Sequence, residues 1–590
     1  MKDLKLFLSM LKDLKGQRGL LLGALLLYLP VTGLALVQPL LIAATAQKGL
    51  QGQEFEVVSF YALLFLCAVI GYAICEMSQL SLMQLIGQRF VRGMRQKLFD
   101  KAQRLPLSYL DKTPIGRILA RMTNDVDSVS DLFASGAVAV IGDAFFLLAT
   151  LVMLFLVDVK LALASLIAGP ILVIGLRFLR QWIRDAFHWV RRSYAILAGF
   201  LQENFSGAMT TQLFVQVARK KKEFEVENDD YMVANRNAVL LDAMIYAFVD
   251  AVSFFALASV LLAAEWLHAY ELIQVGVIVV FVEALNRFFV PVRELANRFA
   301  IFQSAMVSIE RIAEFVAIDV EPKRELPHMP VSFEKSLAFE NVMFGYSPGK
   351  DILSDVNFTV NKGEHVALVG RTGAGKSTVA KLLPRFYDVT RGAVTFDGVN
   401  VLQMDVFELR HLFNVVPQEV FLFSGTIRDN LAYGRDEVTD AEILLALKRC
   451  QALDLVMKKG GLDALVVSGA HEFSLGERQL LALARCLIAK PEIIILDEAT
   501  ASIDPLTERE LKVATKEALK DRTALIIAHR LSTIEWCDRI LVFQKGRIVE
   551  SGTHKELMQL DGYYARLVEL QQKEDELKVI HQSDFLATQP

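Results

Sequence analysis

Six long apolar runs in the first half of the chain restrict its fold more than any other feature. They lie at about 20–44, 57–86, 133–157, 161–180, 238–263 and 272–290. Each is long enough to cross a hydrocarbon layer of about 30 Å as a helix. The 590 residues are 53% hydrophobic, too apolar for an ordinary soluble chain. The third and fourth runs are separated only by Asp158-Val159-Lys160, so a tight turn must join them. The first half therefore reads as an all-α membrane domain of six helices.

Basic residues set its orientation. Lys2, Lys5, Lys12, Lys15 and Arg18 precede the first run, and Arg89, Arg92, Arg95, Lys97, Lys101 and Arg104 follow the second. Arg184, Arg191, Arg192, Arg219, Lys220, Lys221 and Lys222 lie between the fourth and fifth, whereas loops 45–56 and 264–271 hold only Lys48. By the positive-inside rule both termini are cytoplasmic. The early lysines alternate with Leu4, Leu6, Phe7, Leu11 and Leu14, which suits an amphipathic helix on the membrane face, and no cleavable signal is evident. Connections 89–132 and 181–237 are charged and helically periodic. The membrane helices are expected to continue through them as levers of about 30 Å or more at ~1.5 Å per residue.

Near residue 320 the composition changes. Pro322, Pro327 and Pro330 mark 316–336 as a linker between a membrane domain at 1–315 and an α/β domain at 337–573, with a polar tail at 574–590. Within the α/β part, Val366-Ala367-Leu368-Val369 leads into Gly370-Arg371-Thr372-Gly373-Ala374-Gly375-Lys376-Ser377-Thr378 and then a helical segment. Strand, glycine loop and helix form the context of a phosphate-binding P-loop. The loop N–H groups and helix N-terminus cradle phosphates, Lys376 reaches the β- and γ-phosphates, and Ser377 can ligate Mg²⁺. The run Ile493-Ile494-Ile495-Leu496 ends in Asp497 and Glu498. Asp497 suits support of Mg²⁺, and Glu498 suits activation of a water. Bound ATP follows. No basic, aromatic-interleaved patch points to nucleic acid. The five scattered cysteines form neither a metal-ligand spacing nor a disulfide framework.

Here a family resemblance becomes specific. Phe473-Ser474-Leu475-Gly476-Glu477-Arg478-Gln479 resembles the signature motif of ATP-binding-cassette (ABC) proteins. Ala499 to Asp504 resembles their D-loop, Ile527-Ala528-His529-Arg530 their switch histidine, Val416-Pro417-Gln418 their Q-loop, and Tyr346 their adenine-stacking aromatic. Leu105 to Asp111, Thr123-Asn124-Asp125-Val126 and Gln303 to Ile312 are similar to exporters with six helices ahead of one cassette. The resemblance implies an ATPase with Glu498 as general base, His529 on the γ-phosphate, and Gln418 sensing γ-phosphate and Mg²⁺. It implies Ser474 and Gly476 acting on ATP held by a second cassette. It also places Thr123-Asn124-Asp125 near one cassette and Glu203 to Gln212 near another.

Departures matter too. Leu475 stands where the family has a glycine, Glu477 where it has glutamine, and Ser468 where exporters carry a glutamate. One P-loop and one signature per chain imply a dimer, and the altered signature favours a heterodimer with unequal ATP sites. The expected function is ATP-driven export of amphipathic drugs or lipids, set against an ATP-gated regulatory or channel subunit. Family habit suggests a bacterial inner membrane. Inside the runs, Asp143 and Asp250 are candidate cavity residues for amphipathic cations, while Glu283 and Arg287, four apart, are expected to neutralise each other.

Overall fold

A computed structural model describes residues 17–50, 55–132, 137–268, 274–321, 333–435, 437–467, 469–497, 505–528, 534–570 and 572–573. The chain divides into two compact units. One comprises Met1–Leu105 with Thr113–Asp319, the other Pro106–Lys112 with Val320–Pro590.

The first unit is helical. Among the described residues, six helices are long and apolar enough to cross a membrane: Gly19–Gln47, Glu56–Ala102, Ala139–Val157, Val159–Ser206, Val217–Trp266 and Val275–Glu294. Several run well past their apolar stretches. Phe55–Ala102 has 48 residues, Val217–His268 has 52 and Val275–Ala317 has 43, so the charged connections are largely helix, as their periodicity predicts. At Asp158 the turn needs only one non-helical residue. Its carboxylate accepts the N–H groups of Lys160 and Leu161, both at 2.9 Å, and caps the next helix. The interior of the bundle is made where Val249, Val252, Ala256, Val260 and Ala264, on one face of Val217–His268, pack among Phe281, Ala284, Leu285 and Phe289. Small residues in that stripe let the backbones approach closely, which is how helices associate when lipid competes for every apolar surface.

After Ala102 the chain departs from helix. Pro106 starts a single turn, Leu107–Leu110, and Pro114 precedes Ile115–Ala120. Thr123-Asn124-Asp125, expected near a cassette, is grouped with the first unit. It lies in the π-helical turn Arg121–Asp125, where the buried Asp125 carboxylate accepts from Ser308 Oγ at 3.0 Å and Arg311 at 3.4 Å, both in the first unit. The segment grouped with the cassette is Pro106–Lys112.

The second unit is α/β. Strands β3 (His365–Val369), β6 (Phe413–Val416), β9 (Ile493–Asp497), β10 (Thr523–Ile527), β11 (Arg539–Gln544) and β12 (Arg547–Gly552) form a sheet in the order β12-β11-β3-β10-β9-β6. All neighbours are parallel except β11 and β12. β10 is buried throughout and β9 is buried except at Asp497, because helices or a second sheet cover both faces; their unbroken apolar runs reflect that. A four-stranded antiparallel sheet, β2-β1-β4-β5, contains β1 (Ser336–Phe344), β2 (Leu353–Asn361), β4 (Arg391–Phe396) and β5 (Val399–Asn400), while β7 (Gly425–Thr426) and β8 (Leu465–Val466) pair separately. The four-stranded sheet packs Phe339, Phe358 and Phe396 into a core shared with Leu368 and Phe543. A separate core lies under the helix Leu475–Ala489, with Leu480, Leu483, Leu487, Ile443 and Leu447.

Candidate functional site

Strand register brings the candidate residues to one edge. Leu368 of β3 lies beside Ile527 of β10, Ile527 beside Asp497 of β9, and Leu496 beside Val416 of β6. All four strands are parallel, so their carboxyl ends open at the same side of the sheet, where α/β proteins bind ligands. From that edge leave the glycine loop at Gly370, the carboxylate Asp497 and the exposed Gln418, and Ala528 ends just before the predicted His529. Glu498, His529, Ser468 and Ala499 to Asp504 lie outside the described residues.

The loop is shaped by positive backbone angles. Gly370, Gly373 and Gly375 have φ of 153°, 81° and 106°. A Cβ at Gly370 would collide with the Phe543 carbonyl, and one at Gly375 would come within 2.6 Å of Leu353 Cδ2. Arg371 and Thr372 are exposed on the crest, while Ala374 is buried against the sheet core. Gly375 is the residue before the helix Lys376–Leu382, so a helix N-terminus with its unpaired N–H groups opens onto the loop.

Lys376 is 5% exposed, and its Nζ folds back to donate to the carbonyls of Gly370 (2.5 Å) and Arg371 (3.2 Å). Burial pushes its pKa down, and the nearby Asp497 carboxylate only partly offsets this. A buried ammonium held by two carbonyls lacks full charge compensation, and phosphate oxygens would supply it. Ser377 is exposed, and Thr378 is buried with its Oγ1 3.3 Å from the Tyr346 hydroxyl. The oxygens of Ser377, Asp497 and Gln418 are the hard donors that Mg²⁺ prefers. No group of three or more His, Cys, Asp or Glu gathers among the described residues. The cradle thus fits both ATP and Mg²⁺.

Tyr346 is half-buried. It meets Phe344 edge-on at 5.0 Å between centroids and Tyr387 at 5.1 Å. These contacts anchor the ring that the sequence assigns to adenine.

At the signature, Ser474 is the exposed N-cap of Leu475–Ala489. Its Oγ accepts the Glu477 N–H at 3.2 Å, while the Glu477 carboxylate accepts the Ser474 N–H at 2.7 Å. This reciprocal capping box explains Glu477, since glutamate at the third helical position satisfies an orphan donor. Leu475 opens the helix in helical backbone and is absent from the positive-φ residues, so the glycine usual at this position is not needed for backbone reasons here. Gly476 is buried. Among the described residues the Ser474 hydroxyl proton has no acceptor, so it could be donated to an anion.

The membrane-run candidates fare differently. Asp143 is 2.9 Å from Arg298 and Asp250 is 3.0 Å from Arg293, so both carboxylates already have guanidinium partners. Arg287 does not turn to Glu283. It reaches across to Gln38 Oε1 at 2.9 Å and the Ala35 carbonyl at 3.3 Å. The expected internal pair is therefore replaced by an interhelical one, because a side chain in the bundle gains more from a neighbouring helix than from its own surface. Sequence reasoning also passed over Glu76, whose Oε1 accepts from Tyr72 at 2.9 Å; a lone carboxylate in the second apolar run was the available signal. It likewise gave no role to Asp111, Lys381 and Tyr387, although the flanking Pro106 and Pro114 mark a short segment set off from its helices.

Fold and site together define a P-loop nucleotide module joined to a six-helix membrane domain. The family model for the ABC transporter transmembrane region matches residues 21–292, and that described as ABC transporter matches 353–501. The probable multidrug resistance ABC transporter ATP-binding/permease protein YheH of Bacillus subtilis (strain 168) is 36% identical over 83% of this chain and 73% of its own length. An ATP-dependent lipid A-core flippase of Syntrophus aciditrophicus (strain SB) is 32% identical over 85% of this chain and 84% of its own. A bacterial Atm1-family ABC exporter, solved with ATP bound, superposes with a TM-score of 0.76 at 26% identity, covering 94% of this chain and 98% of the other. The chain belongs to the ABC transporter family: it is a multi-pass membrane half-transporter of exporter type, with ATPase activity coupled to transport.

Proposed function

We propose that the chain exports amphipathic drugs or lipids from the cytoplasm or inner leaflet, working as a dimer in a bacterial inner membrane with both termini cytoplasmic. The observation that carries the dimer is the separation of the two halves of an ATP site. The P-loop helix packs into the core between the sheets, while the signature helix packs into the other core, and each chain has one of each. The exposed Ser474 hydroxyl and the N–H groups of Leu475 and Gly476 would face the triphosphate bound by a neighbouring cassette. The tip of the second long connection supports the same reading. Phe205, Met209, Leu213, Phe214 and Val215 are exposed there, a cluster of apolar side chains that a partner's surface would cover.

Within the site, Lys376 would hold β- and γ-phosphates, and Glu498 would accept the proton of the attacking water. His529 would orient the γ-phosphate. Ser377, Asp497 and Gln418 would hold Mg²⁺, which neutralises charge on the phosphate oxygens. Gln418 would carry the state of the site toward the membrane domain. Closure on ATP adds contacts that the open dimer lacks, and only that difference can do work on the membrane helices. Names of relatives support the cargo class: one is described as a multidrug resistance transporter, another as a lipid A-core flippase.

The signature favours a heterodimer. Glu477 places a carboxylate in the first turn of a helix whose N-terminus would face another chain's triphosphate, and like charge weakens that contact even with the carboxylate folded back. The test is ATPase activity of the purified full chain in lipid nanodiscs. Weak turnover is expected alone, rising several-fold in a Leu475→Gly/Glu477→Gln double variant as the signature recovers its usual form. Fast, cooperative turnover by the unaltered chain alone would remove the heterodimer reading. ATP binding without any hydrolysis, alone or with its co-purified partner, would favour a gated regulatory subunit.

A further inference from the structure

The cassette unit holds a piece of chain that belongs, in sequence, to the membrane domain. Pro106–Lys112 is grouped with residues 320–590, and its Asp111 carboxylate is gripped there by two donors. Tyr387 donates its hydroxyl to Asp111 Oδ2 at 2.6 Å, and Lys381 donates Nζ to the same oxygen at 3.1 Å. Lys381 sits on the P-loop helix, one turn beyond Ser377 and Thr378. Its ammonium lies 5.9 Å from the ring centroids of both Tyr346 and Tyr387, within reach of a cation–π interaction. Tyr387 in turn meets Tyr346 edge-on at 5.1 Å, and the Tyr346 hydroxyl lies 3.3 Å from Thr378 of the loop. A continuous set of contacts therefore runs from Asp111 through Lys381 and Tyr387 to the face of Tyr346 and the loop itself.

We infer that Asp111 is a positioning residue for nucleotide: by holding Lys381 and Tyr387 it fixes the ring of Tyr346 against which adenine stacks, so that docking of Pro106–Lys112 sets affinity for the base. This rests on the adenine role of Tyr346. It is distinct from the relay through Gln418, which senses the γ-phosphate end. Electrostatics agree with the geometry. Burial raises the Asp111 carboxyl, but the hydrogen bonds from Tyr387 and Lys381 outweigh it, leaving the group below its ordinary range. The same contact, with burial, pushes the Tyr387 phenol well above its ordinary value. Asp111 thus stays ionised and Tyr387 stays a donor throughout the physiological range. The direction of coupling is reciprocal by linkage: if docking tightens ATP binding, bound ATP must tighten docking. A base stacked on Tyr346 would in this way strengthen the hold of the cassette on the membrane-domain segment before any hydrolysis.

The test uses the full chain in nanodiscs, with its partner if one co-purifies. KM and kcat for ATP are measured beside the affinity for inorganic tripolyphosphate, which has the phosphates and lacks the base. Asp111→Asn is expected to raise KM for ATP about three- to tenfold with kcat within about twofold, since it removes a charged acceptor and leaves the loop intact. Affinity for tripolyphosphate should not change. Tyr387→Phe keeps the ring and loses only the hydrogen bond, so it should shift KM in the same direction by less; it also serves if Asp111→Asn misfolds. Tyr346→Ala should raise KM, and Tyr346→Trp should restore it. A normal loss in Tyr346→Ala beside unchanged KM in Asp111→Asn and Tyr387→Phe overturns the positioning role alone. Equal loss of ATP and tripolyphosphate affinity, or a fall in kcat with KM unchanged, also overturns it, because either marks Asp111 as a mechanical tether. Wild-type KM in Tyr346→Ala would instead remove the stacking role on which the inference depends.

Discussion

Charges in the membrane bundle and polar groups at the nucleotide edge of the cassette are managed in opposite ways. In the bundle, Asp143 faces Arg298, Asp250 faces Arg293, and Arg287 is held by Gln38 and a carbonyl. At the sheet edge, among the described residues, Lys376 donates to backbone carbonyls of its own loop, Ser377 and Gln418 are exposed, and the Ser474 hydroxyl accepts in a cap. The first arrangement completes a structure in a medium that cannot solvate charge. The second leaves donors and acceptors whose best partners would come from a ligand. A charged residue therefore means something different in the bundle and at this edge, and Asp143 and Asp250 each tie to an arginine.

The largest test of this contrast is Lys376→Ala. Removing a charge that only the ligand fully compensates should lower ATPase activity by about a hundredfold or more and weaken binding of a fluorescent ATP analogue, with little change in thermal stability. If stability falls and turnover survives, the contrast is wrong. Next is Arg298→Ala in the bundle, which leaves Asp143 without its guanidinium. Breaking a largely buried pair costs about 3 kcal/mol, which should appear as a lower midpoint of thermal unfolding in detergent. Arg298→Met with Asp143→Asn should recover much of the loss, because no lone charge remains. Binding of amphipathic cationic dyes should follow stability in these variants; a selective loss of dye binding in Asp143→Asn/Asp250→Asn, with stability intact, would return the carboxylates to the cargo site.

The smallest effect concerns pH. Glu442 accepts from Thr439, Lys490 and Arg435, the Thr439 backbone N–H being the strongest influence, and its pKa falls from the ordinary 4.5 to about 2. A carboxylate depressed on folding adds stability that is complete above about pH 4.5 and fades as pH drops toward 2. The side chain is 35% exposed and lies at the surface, where solvent screens its partners, so the effect is modest. Unfolding of the full chain followed by tryptophan fluorescence should show a slightly shallower decline between those pH values in Glu442→Gln than in the parent; identical slopes would rule out this cap as a contributor.

How far the sequence could be read depended on the range of the interaction. The six membrane helices, the glycine loop, the strand before Asp497 and the Asp158 turn all follow from neighbours within a few residues. Glu477 was legible as a departure, but its reason, the capping box with Ser474, needed the helix start to be placed. Partners of Arg287 and Asp143 were not legible, since Gln38 and Arg298 lie far away in sequence. Nor was the grip of Lys381 and Tyr387 on Asp111, some 270 residues upstream.

From sequence alone, then, come the membrane helices, the phosphate loop and the family, because apolar length, glycine spacing and strand–loop–helix order are local and each backbone must satisfy itself. Which charges tie helices together and which await a ligand, and that Pro106–Lys112 joins the cassette, were decided only by tertiary structure. Electrostatic meaning depends on what lies within a few ångströms, and chain order does not specify those neighbours.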